Sequence, residues 1–210
     1  RYLAAVATCR AETGQPLAYP GSPWLLAHAL RDQDRIACCE LREEEATLLK
    51  QALGRDMRIA VHARDGYSAM HALLPPKIGD TRFARGLVLI DPPYEAQEQE
   101  YRSILDALQN GLSRWPTGQF ALWYPIKQRR SLIGFFRNVA KLPCKSVLQI
   151  ELLVRPDNSP LRMNGSGMLI INPPFRMDAE LGPSLSKLVE LLDDGGASHR
   201  IAWLKAENPA

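Results

Sequence analysis

GLVLIDPPY, the segment Gly86–Tyr94, joins a continuous apolar run to an acid, two prolines and a tyrosine. The run Leu87–Ile90 is typical of a buried strand in a parallel sheet. Because prolines have no backbone N–H and hold the preceding residue extended, Pro92 and Pro93 end the strand. The segment therefore predicts a stiff loop at the carboxyl end of a strand, which is the edge where open α/β sheets bind ligands.

The predicted loop offers a carboxylate, several acceptor carbonyls and an aromatic ring. The carboxylate of Asp91 and the carbonyl of Pro92 can accept both hydrogens of an exocyclic amino group. The ring of Tyr94 can stack on the base to which that amino group is attached. The loop therefore predicts a site for a base that bears an amino group.

Length and composition are those of a globular protein with a full core, at 210 residues, 46% hydrophobic and 23% charged. The net charge of +3 permits a nucleic-acid partner without requiring one. The sequence shows no membrane-spanning apolar stretch and no signal peptide pattern. We expect free thiols, no zinc site and a reducing cytoplasmic location, because C-x-x-C spacing is absent among Cys9, Cys38, Cys39 and Cys144.

Strand and helix patterns alternate along the chain, which predicts a three-layer α/β sheet. The predicted strands are 35–41, 58–63, the run ending at Asp91, 119–124, 146–154, 167–171 and 199–204. The predicted helices are 43–53, 67–73, 98–113, 128–140 and 181–192. Residues 155–166 are rich in Pro, Asn, Ser and Gly, so this stretch is predicted to be a loop.

Seven short motifs occur in a defined order along the chain. They are YPGSP at 19–23, EL at 40–41, DG at 65–66, LIDPPYE at 89–95, ALWYP at 121–125, LQIEL at 148–152 and SGMLIINPP at 166–174. Together they resemble the RlmJ family, which methylates N6 of an adenine in 23S ribosomal RNA with S-adenosylmethionine. The resemblance extends over nearly the whole chain. It implies a Rossmann-like class I methyltransferase fold, with a mostly parallel sheet and helices on both faces.

The resemblance also implies which residues bind S-adenosylmethionine. Glu40 would accept hydrogen bonds from the ribose hydroxyls, as the acid of dinucleotide-binding folds does, although the residue alone equally fits a solvated acid beside a helix. Asp65 would accept from the adenine amino group and Gly66 would let the backbone approach, although an Asp before a short helix equally fits an N-cap. Ser22 would lie near the cofactor, while its Pro-Gly-Ser-Pro context alone indicates a turn. Asp91 would also face the cofactor.

We predict that Asp91, Pro92 and Tyr94 act on the acceptor base. The first two would hold the amino group and pull its nitrogen toward tetrahedral geometry, while Tyr94 stacks on the flipped base. Asn172, which also precedes two prolines and an aromatic residue, is the rival for this role. Because the acceptor loop should follow the strand next to the cofactor acids, chain order favours Asp91, and we expect Asn172 to form a structural turn.

The predicted strand 119–124 ends with two aromatic residues, and basic residues follow them. The aromatic residues are Trp123 and Tyr124, and the basic ones are Lys127, Arg129 and Arg130. Such a group suits base stacking and phosphate contact. A solvated start of a helix explains it equally well. The same two interpretations apply to Arg155 and Arg162 in the predicted loop.

No segment before residue 35 has the strand and Gly-rich turn that should hold the methionine part of the cofactor. The resemblance implies that both lie upstream, that residues 1–14 end an inserted helical subdomain, and that residues 15–210 belong to the Rossmann-like domain. The missing strand would expose central sheet edges, which favour aggregation. We therefore expect the 210-residue chain alone to be poorly soluble and inactive, and the intact protein to be active.

The predicted function is methylation of adenine N6 in 23S ribosomal RNA, and the resemblance implies position 2030. We expect a cytoplasmic monomer that needs neither a metal nor a membrane. Methylation of adenine in DNA, or of a protein glutamine, is the alternative among enzymes. A non-catalytic RNA-binding fragment is the alternative among other classes.

Overall fold

The computed structural model describes residues 2–94, 97–160 and 163–207. The chain divides into two compact units, Arg1–Ala69 and Met70–Ala210. Helices and strands alternate in both units, so the predicted α/β class is confirmed. Among the described residues the strands form three sheets.

The first unit builds a parallel pair of strands around a crossover helix. Its elements are α1 (Tyr2–Thr13), α2 (Ser22–Ala29), β1 (Ile36–Glu40), α3 (Glu43–Leu53), β2 (Ile59–Ala63) and the start of α4 (Gly66–Leu73). Helix α3 begins with three glutamates and has Lys50 in its last turn, charges that complement the helix dipole. Strands β1 and β2 run in parallel, with Glu40 opposite Ala63. Both strands therefore end at the same edge of this pair.

The second unit contains a short hairpin and a five-stranded sheet. After α4 come β3 (Lys77–Ile78), β4 (Thr81–Arg82), β5 (Leu87–Ile90), α5 (Gln97–Arg114), β6 (Gln119–Ile126), a 3-10 turn (Arg129–Leu132), α6 (Ile133–Val139), β7 (Val147–Leu153), β8 (Gly165–Ile171), α7 (Met177–Leu192) and β9 (Ser198–Lys205). The sheet order is β5-β6-β8-β7-β9. Strands β5, β6 and β7 share one direction, and β8 and β9 oppose it.

Helices cover both faces of this sheet. Helix α5 buries one residue every four positions, at Ile104, Leu108 and Leu112, which are at most 1% exposed. On the other face, Leu185 of α7 packs with Ala121, Leu148, Ile150 and Ile170 from three strands. The helices on the two faces give the predicted layers.

The predicted elements match the observed ones to within a few residues, with two omissions. Residues 22–29 form α2, where only a turn was predicted, because Pro23 occupies the first helical turn, in which no backbone N–H is needed. The hairpin β3–β4 was not predicted either, since two-residue strands leave no periodic signal. None of the described helices is long and apolar enough to cross a membrane.

Candidate acceptor and cofactor sites

The DPPY loop begins where β5 ends, as predicted. Ile90 is buried and the next residue, Asp91, is exposed. The carboxylate of Asp91 makes no side-chain hydrogen bond within the described residues, so its oxygens are available as acceptors. Partial withdrawal from water raises the pKa of Asp91 above its usual range.

Tyr94 is held against the neighbouring strand. Its hydroxyl donates to the backbone carbonyl of Trp123 in β6 at 2.5 Å. Its ring makes tilted contacts with the rings of Tyr101 and Trp123, both at centroid distances of 5.8 Å. The loop is therefore attached to β5 at its start and to β6 at Tyr94, which restricts the orientation of that ring.

Glu40 and Asp65 lie at the shared carboxyl edge of β1 and β2. Glu40 is half-buried, and its Oε1 accepts from the backbone N–H of Arg42 at 2.9 Å. Asp65 caps α4, accepting from the backbone N–H groups of Tyr67 at 3.3 Å and Ser68 at 2.7 Å. A carboxylate has about four acceptor positions, so both side chains can accept further hydrogen bonds from a ligand.

Gly66 and Ser22 have open surroundings. A Cβ added to Gly66 would meet nothing within 4 Å, so packing does not require a glycine there. Ser22 is the exposed first residue of α2. The structure thus brings Glu40, Asp65 and Gly66 to one edge of the first unit, and it puts Asp91, Pro92 and Tyr94 in one loop of the second.

Asn172 has the hydrogen bonds of a structural turn. Its amide Nδ2 donates to the carbonyls of Pro116 at 3.0 Å and Gly118 at 2.9 Å. Its Oδ1 accepts from the backbone N–H of Lys145 at 3.2 Å. The backbone φ of 52° is left-handed, a conformation that Asn tolerates better than most residues. Both amide hydrogens are therefore already used within the protein.

Base stacking by Tyr124, one of the two interpretations of this segment, is excluded because the side chain is buried. Strand β6 continues to Ile126, and the whole of Tyr124 is buried. Among the basic residues, Arg129 pairs with Glu151 and Arg155 pairs with Asp194. Arg162 lies outside the described residues.

A buried polar network on β6 and β7 was not found by sequence reasoning. Glu151 is 0% exposed, and its Oε2 forms an ion pair with Nη2 of Arg129 at 2.6 Å. Its other oxygen accepts from the Tyr124 hydroxyl at 3.1 Å and from Nε2 of Gln149 at 2.9 Å. Burial, and then the charge of Glu151, raise the pKa of Tyr124, so its hydroxyl remains a donor.

Strand β8 makes room for this network. Gly167 lies between Tyr124 and Glu151 in the sheet register. A Cβ at Gly167 would overlap Cζ of Tyr124, so only glycine lets that ring cross the strand. The sequence signal for this network was the alternation of apolar and polar residues in LQIEL. Such alternation usually indicates that the polar side of a strand faces solvent. That side of the strand is buried only because α6 and the 3-10 turn before it cover it.

All four cysteines are free thiols, and burial raises the pKa of Cys38, Cys39 and Cys144. Over residues 2–94, 97–160 and 163–207, His, Cys, Asp and Glu form no group of three or more that could hold a metal ion.

The family model described as ribosomal RNA large subunit methyltransferase D, RlmJ, matches residues 1–205. The chain belongs to this family. It is 35% identical over 190 residues to ribosomal RNA large subunit methyltransferase J of Haemophilus influenzae, covering 90% of this chain and 66% of the relative. It is 35% identical over 196 residues to the Escherichia coli K12 protein of the same name, covering 93% and 68%.

Among solved structures, protein LPL1258 of Legionella pneumophila is similar to this chain, with a TM-score of 0.82 and 32% identity. The match covers 96% of this chain and 73% of the Legionella chain. The chain therefore shares the fold of this Legionella protein. It spans about two thirds of the length of the two methyltransferases from Haemophilus and Escherichia.

Proposed function

We propose that the protein transfers a methyl group from S-adenosylmethionine to N6 of an adenine in 23S ribosomal RNA. The observation that supports this most directly is the loop after β5. There an exposed carboxylate without a side-chain hydrogen bond to the described residues is followed by two prolines and an anchored tyrosine. Membership of the RlmJ family gives this loop a substrate class.

The residues of the loop act by positioning. The carboxylate of Asp91 and the carbonyl of Pro92 accept the two N–H groups of the adenine and draw the nitrogen toward tetrahedral geometry. The lone pair, otherwise delocalised into the ring, then points at the methyl group. When the N–C bond forms, the bond between the methyl group and the sulfur of the donor would break, leaving S-adenosylhomocysteine, and one N–H proton passes to Asp91 or to water. Tyr94, oriented by the Trp123 carbonyl, lies against the base.

The residues of the first unit fit the adenosine part of the cofactor. Glu40 has an oxygen beyond the one that binds the Arg42 N–H, and it can take the ribose hydroxyls. Asp65 caps α4 and retains acceptor capacity for an amino group, while the open space at Gly66 allows close approach. Ser22, at the start of α2, completes the part of the proposed set that lies in this unit, and Asp91 is the remaining residue proposed to face the cofactor. S-adenosylmethionine supplies the electrophilic methyl group when bound.

We extend the proposal to the context of the reaction. The protein acts as a monomer in the cytoplasm, without a metal. Helix α1 is the end of a helical subdomain at residues 1–14, and residues 15–210 belong to the methyltransferase domain. The exposed start of α1 and its few buried residues, Ala5, Val6 and Cys9, support a helix that packs only in part within this unit.

The test is methyl transfer from S-adenosylmethionine labelled in its methyl group, catalysed by the full-length protein. The acceptors are 23S ribosomal RNA free of this modification and a DNA of the same sequence. We expect N6-methyladenine in digested RNA, identified by mass spectrometry, and little label in DNA. Label confined to DNA, or to another nucleoside, would refute the proposed substrate. RNA binding without any transfer would favour a non-catalytic module.

A further inference from the structure

An arginine-lined cavity lies beside the buried network of the second unit. It has a volume of about 550 Å³. Four arginines and one acid contribute to its lining: Arg129, Arg130, Arg137, Arg200 and Asp157. Arg129 is paired with the buried Glu151, and the three remaining arginines outnumber Asp157, so the lining is positively charged.

The arginines come from three separate elements and differ in their ion pairing. Arg129 and Arg130 lie on the 3-10 turn after β6, Arg137 on α6 and Arg200 on β9. The buried carboxylate of Glu151 fixes Arg129 through the 2.6 Å ion pair, and this also anchors the turn that contains Arg130.

Three of the guanidinium groups are available to a ligand. Arg130, Arg137 and Arg200 are exposed, and none pairs with a carboxylate among the side chains that the structure describes. Arg130 uses Nε to bind Oε1 of Gln128, which leaves its two terminal nitrogens. Guanidinium forks match the oxygens of a phosphate group, so an anion of this kind is the expected occupant.

The position of the cavity relative to β5 and β6 points to an RNA phosphate. These strands are parallel neighbours; β5 leads into Asp91, and β6 leads into Arg129 and Arg130. We infer that the cavity binds a backbone phosphate of the RNA whose adenine is presented to Asp91. This inference rests on the proposed function and adds to it a phosphate contact in the second unit.

The test compares Arg137→Gln and Arg200→Gln with the unaltered protein. The probe is a fluorescein-labelled fragment of 23S ribosomal RNA, titrated over a range of salt concentrations. We expect each substitution to raise Kd roughly fivefold, the value of one exposed ion pair. The slope of log K against log salt should fall by about 0.7 for each phosphate that is no longer neutralised. Both arginines are exposed, and thermal unfolding checks that the variants remain folded.

Arg82→Gln is the matched control, since Arg82 is an exposed arginine of the same unit outside the cavity. An equal loss of affinity in Arg82→Gln would indicate general surface charge and would overturn the inference, as would unchanged RNA binding in both cavity variants. Tight calorimetric binding of inorganic phosphate, with RNA affinity unaltered by the substitutions, would assign the cavity to a free anion instead.

The inference and the proposed function can fail separately. If the protein methylates RNA but neither cavity substitution changes the RNA affinity or its salt dependence, the phosphate site is refuted and the proposed methyl transfer stands. If RNA binding depends on the cavity arginines but no methyl group is transferred, the phosphate site is supported and the proposed reaction is refuted.

Discussion

Asp91 and Asn172 each precede two prolines and an aromatic residue, yet their side chains do different things. The amide of Asn172 is fully occupied by backbone groups of three residues in two segments, Pro116 and Gly118 in one and Lys145 in the other. Releasing it for a substrate would leave those groups without a partner, at a cost of about 1–3 kcal/mol each where they are buried. The carboxylate of Asp91 has no such commitment within the described residues. Asp91 is therefore the residue that can accept hydrogen bonds from a base.

Asp91→Ala should lower kcat by about a hundredfold or more and leave folding almost unchanged, because the residue is exposed on a loop. Asn172→Gly is the matched variant, since glycine tolerates the φ of 52° while the side-chain hydrogen bonds are removed. It should lower stability by about 1–3 kcal/mol and retain the activity of the folded fraction. The opposite pattern in initial rates and urea unfolding would exchange the roles of the two residues.

The pH dependence of methyl transfer should report the ionisation of Asp91. Its pKa is raised by partial burial, so the carboxylate is protonated at a higher pH than an ordinary aspartate. Only the ionised form can take the proton that the amino group releases, so kcat should fall as the pH falls through this raised pKa. Initial rates with saturating RNA measure the profile, and the residual activity of Asp91→Asn should lack that acid limb. A rate that stays constant down to about pH 4 would contradict this role.

Glu40→Ala and Asp65→Ala should each weaken S-adenosylmethionine binding by roughly ten- to a hundredfold, the value of a hydrogen bond to a charged group. Asp65→Ala also removes the cap of α4, at a cost of about 1 kcal/mol in stability. Asp65→Ser separates the two effects, because serine still caps the helix. Calorimetry should find the affinity reduced in Asp65→Ser while thermal stability is kept. Unchanged affinity in Glu40→Ala and Asp65→Ala would exclude this cofactor placement.

Strands β6, β8 and β7 form a platform whose polar side is buried. Tyr124, Gly167 and Glu151 lie in register across the three strands, and Phe136 of α6 covers the ring of Tyr124 at a centroid distance of 5.4 Å. Breaking a buried ion pair by removing one partner costs about 3–5 kcal/mol. The pair Arg129–Glu151 therefore joins the turn after β6 firmly to the sheet.

Gly167→Ala should be destabilising by about 1–3 kcal/mol, because the added Cβ would overlap the ring of Tyr124. Gly134→Ala in α6 is the matched substitution, since nothing lies within 4 Å of its added Cβ. A helical glycine replaced by alanine gains about 0.5–1 kcal/mol. Urea unfolding should thus shift in opposite directions for the two variants, and equal shifts would mean that Tyr124 does not need the space at Gly167.

Apart from Asp91, which is proposed to face both ligands, the residues proposed for the cofactor and for the RNA belong to different units of the chain. Glu40 and Asp65 are in the first, and Asp91 and the arginine cavity are in the second. This division predicts that substitutions in one unit change the binding of one ligand only.

Glu40→Ala should raise the KM for S-adenosylmethionine and leave the Kd for RNA unchanged, and Arg137→Gln should do the reverse. In the double variant, the KM for S-adenosylmethionine should match that of Glu40→Ala and the Kd for RNA should match that of Arg137→Gln. Expressed as free energies, the effects of the two substitutions should be additive to within about 0.5 kcal/mol, as they are for independent sites. Steady-state kinetics and RNA titration measure both quantities. A coupling above about 1 kcal/mol would show that the two groups share a ligand or a network.

Local pattern was enough to predict the α/β class, the borders of most strands and the exposed loop after β5. Apolar periodicity and proline chemistry act between near neighbours in the chain, and they need no knowledge of the partner strand. The burial of Gln149 and Glu151, the interior position of Tyr124 and the occupied amide of Asn172 depend instead on hydrogen bonds between residues 25 to 56 positions apart. Those bonds exist only once register, the space at Gly167 and the cover of α6 are in place, so only the folded chain decides them.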